Sequence, residues 1–373
     1  MKRVTLSVLS IIILTVIGYS CSDDGPSGPD VLDFDRQSML KNWADNIIIP
    51  SFTALSEKTE ELDSTAERFA SEPTLIHLEE LRGAWEAAYL SFQNVSMFEM
   101  GQAMQLRYRD QMNIYPTDVV EIQNNIESGS YNLELPSLND SQGFPALDYL
   151  LYGLSETDSG ILEYYTTGTN SEDYRTYVTD LTTRIDELTR EVNLHWIETY
   201  RDEFVQNDGG GANASVDMTV NDYIFYYEKA LRAGKVGIPA GVFSGTPLST
   251  HLEAYYRKDL STDLLLQALN ATQDFFNGKH FESDETGESL NSYLDYLNTI
   301  KNSDDLSTLI NMQFDAARDK IESLDDNLVN QVENDNAQML SAYDELQMNV
   351  VYMKVDMLQA LNINVDYVDA DGD

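Results

Sequence analysis

The chain has 373 residues, with 64 Asp and Glu against 23 Lys and Arg and a formal net charge of −41. A body this acidic is repelled by phosphate backbones and anionic lipid surfaces, which excludes nucleic acid as a partner. Its 42% hydrophobic residues, with 13 Phe, 22 Tyr and 3 Trp, can fill sizeable cores, and its single cysteine excludes an internal disulfide.

The chain opens MKRVTLSVLSIIILTVIGYSC. Lys2 and Arg3 precede an apolar run from Val4 to Ile17 that is too short to span a bilayer comfortably and has the layout of a secretory signal. The run ends at Gly18-Tyr19-Ser20 before the lone Cys21, so residues 1–20 are predicted as a lipoprotein signal peptide and Cys21 as the lipidation site. The other reading is an ordinary signal followed by an incidental cysteine. With Cys21 lipidated, no thiol remains for catalysis. Residues 21–33, which include SDDGPSGPD, read as a flexible tether holding a folded body off the membrane. The charge without Lys2 and Arg3 is −43, read here as a solvated surface rather than a cation-binding device.

Beyond the tether the apolar period is helical almost throughout. Met39, Leu40, Trp43, Ile47 and Ile48 share a face; a kink is predicted at Pro50, and Phe52, Leu55, Leu62 and Phe69 continue the stripe. Pro73 is predicted to open the next helix, in which Leu78, Leu81, Trp85, Ala88, Phe92 and Val95 recur at i, i+3, i+4 spacing, with Gly101 as its end. A short helix is expected after Pro116, then an irregular connection over YNLELPSLNDSQ. In GFPALDYLLYG (Gly143 to Gly153), Pro145 is predicted at the first helical position and Asp148 near the first turn, where the helix dipole favours an acid. Residues 171–205 are predicted helical. NDGGGANAS is the best boundary in the chain, and it divides a first helical bundle, 34–206, from a second, 216–373. In the second half a helix is expected through Tyr223 to Leu231, then a Gly/Pro-rich connection, AGKVGIPAGVFSGTP. Long helices are expected at about 248–277, 304–325 and 329–362. No segment alternates at period two. The fold class is therefore all-α, two packed helical bundles of up-and-down helices with irregular loops.

Metal chemistry has four histidines to draw on: His77, His195, His251 and His280. The i, i+3 pairs His77/Glu80 and His195/Glu198 could each offer two ligands, but in so acidic a chain they read as surface pairs. The ending DYVDADGD crowds Asp366, Asp369, Asp371 and Asp373 yet lacks the closing Glu of an EF-hand loop, and reads as a solvated tail. No nucleophile elbow, phosphate loop or dinucleotide fingerprint is present.

The stretches IIIPSF, AWEAAYLSFQNVSMFEMG, QGFPALDYLLYG, YYRKDLS and MLQALNINVDYVDADGD, in that order, resemble the imelysin family of helical cell-envelope proteins over nearly the whole mature region. That family has two helical bundles with a GxHxxE motif at the cleft between them. It includes iron-regulated and iron-uptake proteins, and a peptidase activity is attributed to some members. Laid on the motif, Gly143 matches the glycine, Pro145 falls at the histidine and Asp148 at the glutamate. A further family acid falls near Ser96, with Glu99 as its substitute. The resemblance thus implies a degenerate metal site, with Asp148 as its remnant acid, and a cleft formed by Trp85, Tyr89, Ser96, Glu99, Gly143, Pro145 and Asp148. No cofactor is required by this set, and a weakly bound divalent metal (iron, zinc or calcium) is the one the remnant could hold. The implied function is a binding or accessory role in iron acquisition for an outer-membrane lipoprotein facing the periplasm or the cell surface, with envelope iron-uptake proteins as partners. A metallopeptidase of the imelysin type is one rival, disfavoured by the missing histidine. A glycan- or protein-binding surface module is the other.

Overall fold

The computed structural model describes residues 34–301 and 304–367. The signal, Cys21, the tether, and Asp369, Asp371 and Asp373 lie outside the described residues.

The first set of helices is built around Ile49–Ser71, which packs on Leu75–Phe92 on one side and Ser171–His195 on the other. The apolar stripes explain this. Phe52, Leu55, Leu62 and Phe69 are buried on the first helix; Leu78, Leu81, Trp85, Ala88 and Phe92 on the second; Val178, Leu181, Ile185 and Val192 on the third. In the second set, Leu306–Glu322 packs on Ser261–Phe276 and Asn336–Val350, and Asn336–Val350 also packs on Tyr226–Gly237. The two sets meet where Ser261–Phe276 touches Leu75–Phe92. The start of the chain also crosses over. Asn42 donates to the carbonyls of Gly278 and Glu288, and Trp43 packs its ring 4.9 Å from that of Phe275. The described residues from Asp35 onward form one compact unit.

The fold is all-α. Among the described residues the only strands are two antiparallel two-residue pieces, Ile300–Lys301 and Asp304–Asp305. Several boundaries differ from expectation for local reasons. Pro50 lies inside a helical run that is unbroken from Arg36 to Ser71, directly after the π-type stretch Trp43–Ile48, whose wider turns accommodate its missing N–H. Pro73 lies outside the next helix, because the Thr74 side chain caps it by accepting from the His77 N–H. That helix stops at Phe92, and Gly101 instead precedes Gln102–Leu106 with φ +60°. Residues 248–260 are mostly turns, so the helix predicted from 248 begins at Ser261. The region read as 329–362 is broken at Asp335, which separates Leu328–Asn334 from Asn336–Val350.

Five stretches wind with wider π-type turns: Trp43–Ile48, Tyr149–Gly153, Trp196–Tyr200, Tyr226–Gly237 and Val351–Met357. Their hydrogen bonds run i→i+5, and such turns cluster at functional positions. The longest, Tyr226–Gly237, absorbs the first part of what the sequence presents as a Gly/Pro-rich connection.

A candidate ligand cleft beside a degenerate motif

The motif segment is fixed by its glycine. Gly143 has φ +75°, and a Cβ there would collide with the Met112 carbonyl, so no other residue fits. Phe144 then lies against the Leu75–Phe92 helix. The Trp85 indole donates to its carbonyl at 3.1 Å, and the Tyr89 ring stacks on it at 4.6 Å. Trp85 and Tyr89 are thus buried walls behind the motif. Pro145 occupies the third, not the first, position of Gly143–Asp148, where its missing N–H still costs no helical bond.

Asp148 also departs from expectation. It ends the α-helical segment instead of sitting in the first turn, so the helix dipole does not account for it. Its side chain is buried, and its two oxygens accept the backbone N–H groups of Tyr256 and Arg257, each at 2.8 Å. Burial pushes its pKa up to about 7, against the pull of those two donors and the Arg257 charge. Asp148 therefore joins the motif helix to a turn of the second half. Gly153 closes the same contact, with the Tyr256 ring lying where a Cβ would be.

Pro145 and Asp148 line a small cavity of about 170 Å³ with Tyr115, Tyr255 and Tyr256. Ser96 and Glu99 line a different and larger one, about 550 Å³, and Tyr115 borders both. The seven residues singled out from the sequence thus divide among the small cavity, the large cavity and the core behind them.

The large cavity is walled by the Tyr226–Gly237 stretch. A turn wider than α returns to the same side after four to five residues, and Phe225, Lys229, Gly234 and Ile238 all face the space. Two charged groups hold its floor. Arg109 bonds Asp222 at 2.9 Å and the Ser96 carbonyl at 2.7 Å, lies 3.9 Å from Glu99, and sits over the Phe225 and Tyr226 rings. The Glu99 backbone N–H also donates to Asp222. Burial pushes the Glu99 carboxyl up to about 7, with Arg109 opposing. The second group is Lys235, which donates to Glu253 and, at 2.9 Å, to Gln93. Glu253 also accepts from Asn113 at 2.7 Å and Gln93 at 3.3 Å, and Tyr89 donates to Asn113 at 2.5 Å. Burial pulls the Lys235 ammonium below its ordinary value, against the attraction of Glu253.

Arg109, Tyr115, Asp222, Tyr226, Lys235 and Glu253 were not singled out from the sequence. The one local signal was a lysine set among small and apolar residues in RAGKVGIPAG, which the glycines and proline disguise as a loop.

A metal does not fit the motif. Pro145 has no side-chain ligand atom, each Asp148 oxygen already accepts a backbone N–H, and the Ser96 hydroxyl is bonded to the Gln93 carbonyl, so no set of three side-chain ligands is left. Among the described residues no group of three or more His, Cys, Asp or Glu side chains is placed to hold an ion. Glu80, of the first HxxE pair, bonds Arg68 instead, and His195 stacks on Tyr200.

No curated protein matches the chain significantly. In overall fold it is similar to a crystal structure described as an iron-regulated protein A precursor from Parabacteroides distasonis ATCC 8503, at 15% identity and a TM-score of 0.70, covering 86% of this chain and 95% of that one. It is also similar to an imelysin-like protein from Psychrobacter arcticus 273-4, at 16% identity and a TM-score of 0.64, covering 89% and 97%. The family model described as Imelysin matches residues 48–351, most of the chain, and the protein therefore belongs to the imelysin family.

Proposed function

We propose that this imelysin-family protein is a lipid-anchored binding protein of the outer membrane, an accessory to iron acquisition, whose ligand occupies the larger cavity rather than a metal site at the motif. The observation that carries this reading is the state of Asp148. The acid at the motif position holds two backbone N–H groups of the other half, while the adjoining cavity presents charged, hydroxyl and apolar side chains to a guest. A metallopeptidase needs a metal-activated water and a base, and the motif offers one carboxylate, already bonded to two backbone N–H groups, and no imidazole. The iron link is supported by family membership and by the likeness to a protein described as iron-regulated. The anchor is supported by the apolar leader ending at Cys21. Among the described residues no helix is long and apolar enough to cross a membrane, which is compatible with a lipid holding the protein there. Envelope iron-uptake proteins are the partners this role implies.

Two measurements test it. The purified protein is expected to retain no stoichiometric zinc or iron after dialysis, and to leave casein uncleaved with or without a chelator. Stoichiometric metal together with chelator-sensitive cleavage would replace this reading with the metallopeptidase. Separately, Cys21→Ser is expected to move the protein from the membrane to the soluble envelope fraction. Membrane association that survives both this substitution and high salt would refute the lipid anchor.

A further inference from the structure

We propose that the larger cavity binds a small neutral molecule with an apolar body and a carbonyl-type oxygen at one end. This rests on the reading of the cavity as the ligand site and specifies what the site takes.

The head group follows from donors left over at the floor. The Tyr226 side chain is buried and its hydroxyl, beside that of Ser96, makes no hydrogen bond of standard geometry. The Tyr115 hydroxyl lies 3.3 Å from where a Cβ on Gly234 would stand, and the Glu253 charge acts on both tyrosines. Lys235 carries three N–H bonds and gives two of them to Gln93 and Glu253. Two phenols and one ammonium group thus line one cavity with donor capacity to spare. A buried donor without an acceptor is unfavourable, so the site calls for an oxygen that accepts.

Charge decides between an anion and a neutral acceptor. Every Lys and Arg in the lining already has an acid: at the floor Lys235 has Glu253 and Arg109 has Asp222 and Glu99, while further out Arg107 has Asp110 and Lys229 shares Glu228 with Arg232 and Lys354. A carboxylate entering this balanced floor would be an uncompensated buried charge, in a chain that already carries −41. A ketone, ester or amide oxygen accepts the same hydrogen bonds without that cost. The body of the ligand follows from the apolar walls, Phe92, Phe225 and Ile114, and from Met104 and Ile238, which remain exposed at the rim. A volume of about 550 Å³ falls in the range that encloses small molecules.

The test uses 6-propionyl-2-dimethylaminonaphthalene, a neutral naphthyl ketone whose emission reports its surroundings, with the full mature protein. Saturable one-to-one binding is expected. 2-Acetylnaphthalene should displace the probe at a concentration at least tenfold lower than 2-naphthoate, which has nearly the same shape and a charge. Tyr115→Phe combined with Tyr226→Phe removes only two hydroxyls and should weaken the probe about tenfold, the effect of two ordinary hydrogen bonds, without lowering Tm. If naphthoate matches or beats the ketone, or if the double variant binds as tightly as wild type, the neutral-acceptor assignment fails while the cavity remains a ligand site. If neither ketone nor naphthoate binds saturably, the ligand-cleft reading falls with it.

Discussion

Glu253→Ala is expected to lower the free energy of unfolding by about 3–5 kcal/mol, the largest single-residue effect in the cleft. Glu253 is the shared acceptor for three donors, the buried Lys235 and Gln93 and the half-buried Asn113. Its removal leaves the Lys235 charge buried with no counter-charge, and that loss dominates. Desolvating the pair has already cost much of what its attraction returns, so replacing both partners together is far milder. The double variant Lys235→Met with Glu253→Gln keeps an acceptor for Asn113 and should recover most of the loss. Urea titrations of the three proteins measure this. A single variant that loses less than about 1 kcal/mol would mean that water reaches Lys235 and that the floor is not the dry, paired surface described above.

Stability is expected to fall as pH rises from about 4 to about 7. Asp148 and Glu99 both have folded pKa values near 7, raised by burial, against about 4 in the unfolded chain. Between those values the folded state holds more protons than the unfolded one, so the free energy of unfolding decreases with pH across the window and levels off above it. Each unit of difference is worth about 1.4 kcal/mol, so the two groups together shift stability by several kcal/mol at most. The charges facing them set the balance: Arg257 beside Asp148, and Arg109, Asp222 and Asp110 around Glu99. Asp222 is itself raised by burial and adds in the same direction, as does relief of self-repulsion in so acidic a chain. Tm should therefore be higher at pH 5.5 than at pH 8, and Glu99→Gln should reduce the slope. A Tm that climbs between those pH values would show that the Arg109 and backbone N–H partners outweigh burial.

The sequence makes the helical class and most helix faces legible because buried stripes at i, i+3, i+4 need no knowledge of neighbours. Leu78, Leu81, Trp85, Ala88 and Phe92 fall on one buried face as their spacing requires. The resemblance to imelysins placed Gly143, Pro145 and Asp148 at one locus, and Pro145 and Asp148 do line one cavity. What Asp148 binds was not legible, since its partners are main-chain N–H groups more than a hundred residues away and carry no residue identity. The larger cavity was hidden for another reason. Its long wall winds with π-type turns, so a search at the α period drifts off the face that Phe225, Lys229, Gly234 and Ile238 share. Its floor pairs Lys235 with Glu253 across a stretch whose glycines and prolines signal a loop.

That wall has a consequence for how the protein can change over time. A run of π-type turns holds more residues per turn than an α-helix of the same span. Deleting one residue between Tyr226 and Lys235, with the turns otherwise kept, would rotate every later side chain on the wall by about a quarter turn. Lys235 would leave Glu253, and Ile238 would leave the rim. Point substitutions along the wall alter what the cavity prefers, whereas a change in its length erases the cavity. In this segment, residue count is therefore a stricter inheritance than residue identity.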